Sequence, residues 1–316
     1  MNENKQLKFE TNRRKAEACP CGKSNRDGKF VPYVDFANKG YCHSCDKTFL
    51  PEKDYKFVHY VKREEPPVDR INLKRLEDSM SCYENNNFTL FLENTFGTPR
   101  AEDMVSKYYI GTTDALPELP KRLKARPIFW QIDEKFRVRT ARLIKYTLQT
   151  GKRVKSDREE DKPTWIHRYP KQSYKQCLFG LHLISENDKP IAIVESEKSA
   201  IIMSYCRSDY NWLATGGISN LSKDKLKPLV GRHITLYPDH NGFDLWKNKA
   251  EKITKETGIT FKIAPDCEEW YKEGKILEGN DIADYYLINH KFKHDAEWSD
   301  EEYKEFNNRI CTSENR

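Results

Sequence analysis

Ile191-Ala192-Ile193-Val194-Glu195-Ser196-Glu197-Lys198-Ser199-Ala200 opens with four apolar residues and passes at once to a carboxylate. A short continuous apolar run is the mark of a strand buried on both faces. Glu195 then stands at the C-terminal end of that strand, where open α/β sheets place their chemistry. Ser199 to Cys206 reads as the helix that follows. The rhythm repeats downstream. Trp212-Leu213-Ala214 is a second strand, ended by the Gly216-Gly217 turn, and Ile234-Thr235-Leu236-Tyr237 is a third. Asp239 and a turn at Gly242 come next, then a helix around Trp246, a fourth strand at Ile259–Ile263 and a closing helix at Ile282–Ile288. Alternating strands and helices imply a mostly parallel sheet. Glu195 and Asp239, each at a strand end, could share a Mg²⁺, which takes oxygen ligands and keeps several waters.

Upstream of this α/β part, Pro127–Ile132 and Phe136–Leu143 read as strands joined by a turn. The second alternates, with Arg137, Arg139 and Arg142 expected on its polar face. Residues 71–110 carry helical spacing, with a break expected at Asn85-Asn86-Asn87. Residues 151–176 are polar and give no clear element. Trp130, Trp165, Trp212 and Trp246 are expected in the core.

Nearer the start, Cys19-Pro20-Cys21-Gly22 is followed, after twenty intervening residues, by Cys42-His43-Ser44-Cys45. Two close pairs at that spacing suit a tetrahedral thiolate Zn²⁺ site of the ribbon type, with Cys19, Cys21, Cys42 and Cys45 as ligands. The first pair is CxC and not the commoner CxxC, and His43 is an alternative ligand. Lys29–Val34 and Gly40-Tyr41 read as strands leading to the second knuckle. Lys23, Arg26, Lys29, Lys39 and Lys47 interleave with Phe30, Tyr33, Phe36 and Tyr41, a mixture that suits single-stranded nucleic acid. The expected divisions are therefore a basic flexible N-terminus (1–18), a zinc ribbon (19–50), a linker (51–70), a helical and basic-strand subdomain (71–188), an α/β domain (189–290) and a charged tail (291–316).

Composition narrows the class. The chain has 316 residues, 37% hydrophobic and 33% charged, with a net charge of +6. No stretch has the length and apolarity of a membrane span, and the first residues lack the apolar region of a secretory signal, so a cytoplasmic protein is expected. Nine cysteines in a reducing compartment argue against a disulfide framework.

The motifs in their order, VESEKSA, TGG and YPDHNG, resemble the toprim fold of bacterial replicative primases and phage primase–helicases, proteins that also begin with a zinc ribbon. Arg137-Val138-Arg139-Thr140-Ala141-Arg142 is similar to the basic strand lining that family's polymerase cleft. Cys177–Leu183 resembles its LFG segment, and Gly279–Tyr286 its closing DxxDY element. The arrangement is most similar to small zinc-ribbon–toprim proteins of phages and mobile elements. The resemblance covers about residues 19–290 and implies a fold: a toprim-like, mostly parallel α/β sheet with flanking helices, preceded by an α+β primase-type subdomain and a β zinc ribbon. It implies that Glu195 is the toprim glutamate, Asp239 the second aspartate of DxD, and that Gly216, Gly217 and Gly242 form the structural turns. Arg137, Arg139, Arg142, Lys145 and Lys198 fall where nucleic acid or nucleotide is held. Two positions depart from the pattern. The first aspartate of DxD is Tyr237, and the acid four residues after the glutamate is Ser199. Asp244, Asp266 and Asp281 are the candidate replacements as Mg²⁺ ligands.

The resemblance implies a DNA primase, a nucleotidyltransferase using Mg²⁺ or Mn²⁺ and nucleoside triphosphates on a single-stranded DNA template, with a replicative helicase as a separate partner because the sequence has no P-loop signature. Loss of two carboxylates leaves a second reading, a non-catalytic nucleic-acid-binding replication or mobilisation protein. A toprim nuclease is a third.

Overall fold

The computed structural model describes residues 7–51, 70–168 and 174–289. The expected linker, apart from its two end residues, and the expected charged tail lie outside the described residues. The chain divides into two units, Met1–Pro66 and Pro67–Arg316.

The first unit is a three-stranded antiparallel sheet of β1 (Phe30–Pro32), β2 (Gly40–Cys42) and β3 (Lys47–Phe49), in that order. Gly40 lies opposite Pro32, and a Cβ there would fall 2.1 Å from the Val31 carbonyl oxygen, so only glycine lets the two strands close. Asn25, 2% exposed, fastens the preceding loop. Its Nδ2 donates to the carbonyls of Arg13, Ala16 and Phe30, and its Oδ1 accepts from the Phe30 amide at 2.6 Å. The buried cluster is small: Ala16, Cys19, Phe30 and Cys42.

The second unit begins with helices α1 (Leu73–Ser79), α2 (Asn87–Phe96) and α3 (Thr98–Lys107). The break expected at Asn85–Asn87 falls between α1 and α2, where the Asn86 side chain accepts from the amides of Phe88 and Thr89 and so caps α2. An antiparallel sheet follows, with β4 (Gly111–Thr112), β5 (Pro127–Ile132), β6 (Val138–Leu143) and β7 (Thr164–Trp165) in sequential order. The expected strand from Phe136 starts two residues late. Phe136, at φ 54°, and Arg137 belong to the turn, because Asp133 takes the Lys135 and Arg137 amides on its side chain.

The last part is the parallel sheet, with β8 (Ile191–Val194), β9 (Asn211–Ala214), β10 (Ile234–Leu236) and β11 (Phe261–Ile263) in the spatial order β11-β10-β8-β9. Around it lie α4 (Glu197–Cys206), α5 (Lys223–Leu226), α6 (Phe243–Thr257), α7 (Asp266–Lys272) and α8 (Ile282–Asn289). All four residues of β8 are buried, and alternate ones serve opposite faces. Ala192 and Val194 join a core with Phe88, Phe91, Phe129 and Trp212, while Ile191 and Ile193 join Leu236 and Trp246. Helix α4 is buried from Glu197 to Ser204, which requires cover on both sides; β9 provides one and α8 the other. Tyr108, at the end of α3, donates its hydroxyl towards the carbonyls of Trp212 (2.9 Å) and Ala200 (3.3 Å), so the helices and the parallel sheet share one core. No helix among the described residues is long and apolar enough to cross a membrane.

Candidate active site and metal centre

The acidic site grows from the sheet order. β8 and β10 are neighbours, so the residues leaving their C-terminal ends meet. Glu195 leaves β8 directly, and Asp239 leaves β10 three residues after its end. The Asp239 amide points to Glu195 Oε1 at 3.4 Å. Gly242 packs against the same oxygen, where a Cβ would lie 2.9 Å away, so the turn after β10 needs glycine for room and not for a left-handed φ. Gly216 and Gly217, which end β9, both have positive φ, and the Gly216 amide donates to the Glu195 carbonyl at 2.9 Å.

A cavity of about 290 Å³ opens here, with Glu195, Glu197, Asp239, Asp281 and Asp284 among its lining residues. Burial first, then the neighbouring Asp281, pushes Glu195 up to about 7. Asp239 is held well above the usual carboxylate range by burial and then by Glu195. Carboxylates held against their own ionisation are relieved by a divalent cation, and an all-oxygen set suits Mg²⁺ or Mn²⁺. The acids do not form a tight cage. Among the described residues, the group of Cys, His, Asp or Glu ligand atoms that all lie within 4.8 Å of one another is the cysteine cluster.

Helix α8 joins the site through reciprocal caps. Asp281 Oδ1 accepts from the Asp284 amide (3.0 Å), and Asp284 Oδ2 accepts from the Asp281 amide (3.2 Å). Ser199, the position without its acid, donates its hydroxyl to Asp281 Oδ2. Lys198 Nζ meets Asp284 Oδ1 at 2.7 Å. Tyr237, the other departure, is 8% exposed and packs on Trp212 with ring centroids 5.1 Å apart, a core contact.

The arginines do not share one site. Arg137 and Arg139 both end on Asp133, at 2.7 and 3.0 Å, and do not line the cavity. β6 carries a bulge here: Val138 pairs with Ile132 and Thr140 with Gln131, leaving Arg139 as the extra residue. Arg142 does line the cavity, and its Nη1 donates to both Glu197 oxygens (2.9 and 3.0 Å) and to the Gly216 carbonyl (2.8 Å). Lys145 is bonded to the buried Asp161 at 2.7 Å, which holds that carboxyl far below its ordinary range. Asp244, in the first turn of α6, is exposed, and neither it nor Asp266 is among the residues lining the cavity.

Sequence reasoning missed the basic residues of the cavity. Lys152, Arg153 and Lys155 also line the cavity, from the segment given no element. Gly151, at φ 58°, turns the chain there, and a Cβ on it would fall 2.4 Å from the Phe91 ring. Arg153 and Lys155 are exposed and make no ion pair among the described residues. The signal was present as a basic run directly after a glycine. Glu197 and Asp284 were also passed over as site residues, although both stand in the quoted motifs.

In the first unit the sulfurs of Cys19, Cys21, Cys42 and Cys45 all lie within 4.8 Å of one another. The Cys21 amide points to Cys19 Sγ at 3.4 Å. A hydrogen bond from Cys19 pulls the Cys21 thiol down to about 7, while burial holds Cys19 well up. Four converging sulfurs are the donor set of a closed structural Zn²⁺ site. His43 is not part of this group; its ring lies edge-on to Tyr41. The rings of the ribbon are largely engaged, Phe30 in the core and Tyr33 stacked on Phe9 at 4.7 Å.

A family model described as a domain of unknown function (DUF6371) matches residues 86–240. No curated protein matches the chain. Among solved structures the chain is similar to the primase fragment of the bacteriophage T7 primase-helicase protein, at 13% identity over 82% of this chain and 94% of that one, with a TM-score of 0.38. It is similar to the DnaG primase catalytic domain bound to single-stranded DNA, at 14% identity over 70% of this chain and 77% of that one, TM-score 0.40. The zinc-binding and RNA polymerase domains of the Aquifex aeolicus primase show 13% identity over 65% of this chain and 60% of that one, TM-score 0.36.

Proposed function

We propose that this chain is a primase-like nucleotidyl-transfer protein of the small phage or mobile-element kind, acting on a single-stranded DNA template. The observation that supports the reading is a cavity lined both by acids, Glu195, Asp239 and Asp281, and by cations, Lys152, Arg153 and Lys155. In this reading Glu195 and Asp239 hold Mg²⁺ or Mn²⁺, and Asp281 stands behind them. The bound ion supplies charge neutralisation at phosphoryl oxygens. Arg153 and Lys155 hold the triphosphate or the template backbone, and Arg142 fixes the Gly216 turn. The ribbon, with Zn²⁺ on its four cysteines, senses the template, and a replicative helicase is a separate chain.

The test is incubation of the purified zinc-loaded protein with Mg²⁺ or Mn²⁺, labelled nucleoside triphosphates and a broad set of single-stranded templates. Short RNA products that vanish in Glu195→Gln are expected. No product on any template overturns the enzyme reading, and shortened templates would instead indicate a nuclease. One observation favours a non-catalytic binding protein: Tyr237 is committed to the core and Ser199 carries no charge, so two carboxylates of the family pattern are missing. That reading gives DNA binding that persists without Mg²⁺ and in Glu195→Gln, with no synthesis.

A further inference from the structure

The acids of the cavity fall into two pairs with different surroundings. Every oxygen of the Asp281–Asp284 pair has a donor. Asp284 takes Lys198 Nζ and the Asp281 amide; Asp281 takes the Asp284 amide and the Ser199 hydroxyl. The Lys198 ammonium and its partner are 9% and 6% exposed, so the ion pair is shielded from water. The Glu195–Asp239 pair is open. Glu195 takes one amide at 3.4 Å, and the Asp239 carboxylate takes no hydrogen bond among the described residues. Glu197, the remaining acid, is answered by Arg142.

We infer that Lys198 is the resident second cation of this cavity, so that the site takes one divalent ion, at Glu195 and Asp239, and not two. This rests on the reading of the cavity as a metal site. A second ion at Asp281 and Asp284 would have to expel an ammonium and break three further hydrogen bonds, whereas an ion at Glu195 and Asp239 meets two negative charges with few donors to displace. Lys198 is a positioning residue: it fixes Asp284, and through the reciprocal caps Asp281, in place of a metal. Ser199 fits the same scheme, because a hydroxyl donates to Asp281 where a carboxylate would repel it.

The experiment is a Mn²⁺ titration of the zinc-loaded full chain, read by calorimetry and by the electron paramagnetic resonance signal of free Mn²⁺. One ion per chain is expected for the wild type. Lys198→Met should take two, or should fold only when Mn²⁺ is present. Lys198→Met with Asp284→Asn should return to one. Two ions in the wild type overturn the inference. So does a folded Lys198→Met that still binds one, or one that folds at no Mn²⁺ concentration, since Lys198 is then only structural. No Mn²⁺ binding at all overturns this inference together with the metal reading. One bound ion without any synthesis removes the primase reading and leaves the inference standing.

Discussion

Glu195 leaves a fully buried strand and enters a cavity shared with other acids, and its proton affinity records that position. Its folded value near 7 exceeds its ordinary value of 4.5. The native protein therefore holds more protons than the unfolded chain between those pH values, and metal-free stability falls as pH rises through that window. Glu195→Gln removes the effect. Metal-free melts should show the variant gaining up to about 3 kcal/mol on the wild type at pH 8, with the gain gone near pH 4. Added Mn²⁺ should stabilise the wild type at pH 8 and leave the variant unmoved. Glu195 and Asp239 were legible because a strand end is a local event: an apolar run stops and an acid follows. Asp284 and Glu197 were not, because their importance depends on partners 86 and 55 residues away.

At the scale of elements, Arg142 on β6 ties the β4–β7 sheet to the turn after β9. Glu197, its partner, has a side chain only 2% exposed, so Arg142→Met would strand a buried charge. Urea unfolding should show a loss of about 3–5 kcal/mol. Arg142→Lys should recover part of it, since an ammonium keeps the charge but the shorter side chain does not place a nitrogen where Nη1 meets its three acceptors. The segment after Gly151 plays the opposite role, presenting Arg153 and Lys155, which are exposed and make no ion pair among the described residues. Arg153→Ala with Lys155→Ala should weaken single-stranded DNA binding and lower the slope of log affinity against log salt by about 1.4, read from fluorescence titrations at several salt concentrations. The parallel strands were legible because burial on both faces leaves an uninterrupted apolar run. That Arg137 and Arg139 are taken by Asp133 while Arg142 reaches the cavity was not legible, because the partners are set by the turn before β6 and by the Gly216 turn, not by the alternation of the strand. The basic segment escaped because its conformation is set by the packing of Gly151 on Phe91, a contact across 60 residues that leaves no period in the sequence.

At the scale of the whole molecule, the two units have unequal means of holding together. The first buries a handful of side chains and has four converging thiols; the second has extended cores on both faces of its parallel sheet. Small modules of the first kind take their folding energy from the metal. Chelation of Zn²⁺ should therefore expose the amides of residues 7–51 to hydrogen exchange while the amides of β8 to β10 stay protected. Asn25→Ala should act in the same direction, lowering zinc affinity, because it leaves three carbonyls and one amide of the loop without their partner. The shared core fastened by Tyr108 should make the second unit melt in a single calorimetric transition.

The link between α4 and α8 also bears on how the protein is made. Ser199 and Lys198 wait for partners that follow 82 and 86 residues later. A ribosome finishes Glu195, Asp239 and all four parallel strands before it reaches Asp281. Until then Lys198 and Ser199 lack the acids they hold in the folded chain. A chain truncated before Asp281 should therefore leave an ammonium of helix α4 without its ion-pair partner, and α4 without the helix that covers one of its sides.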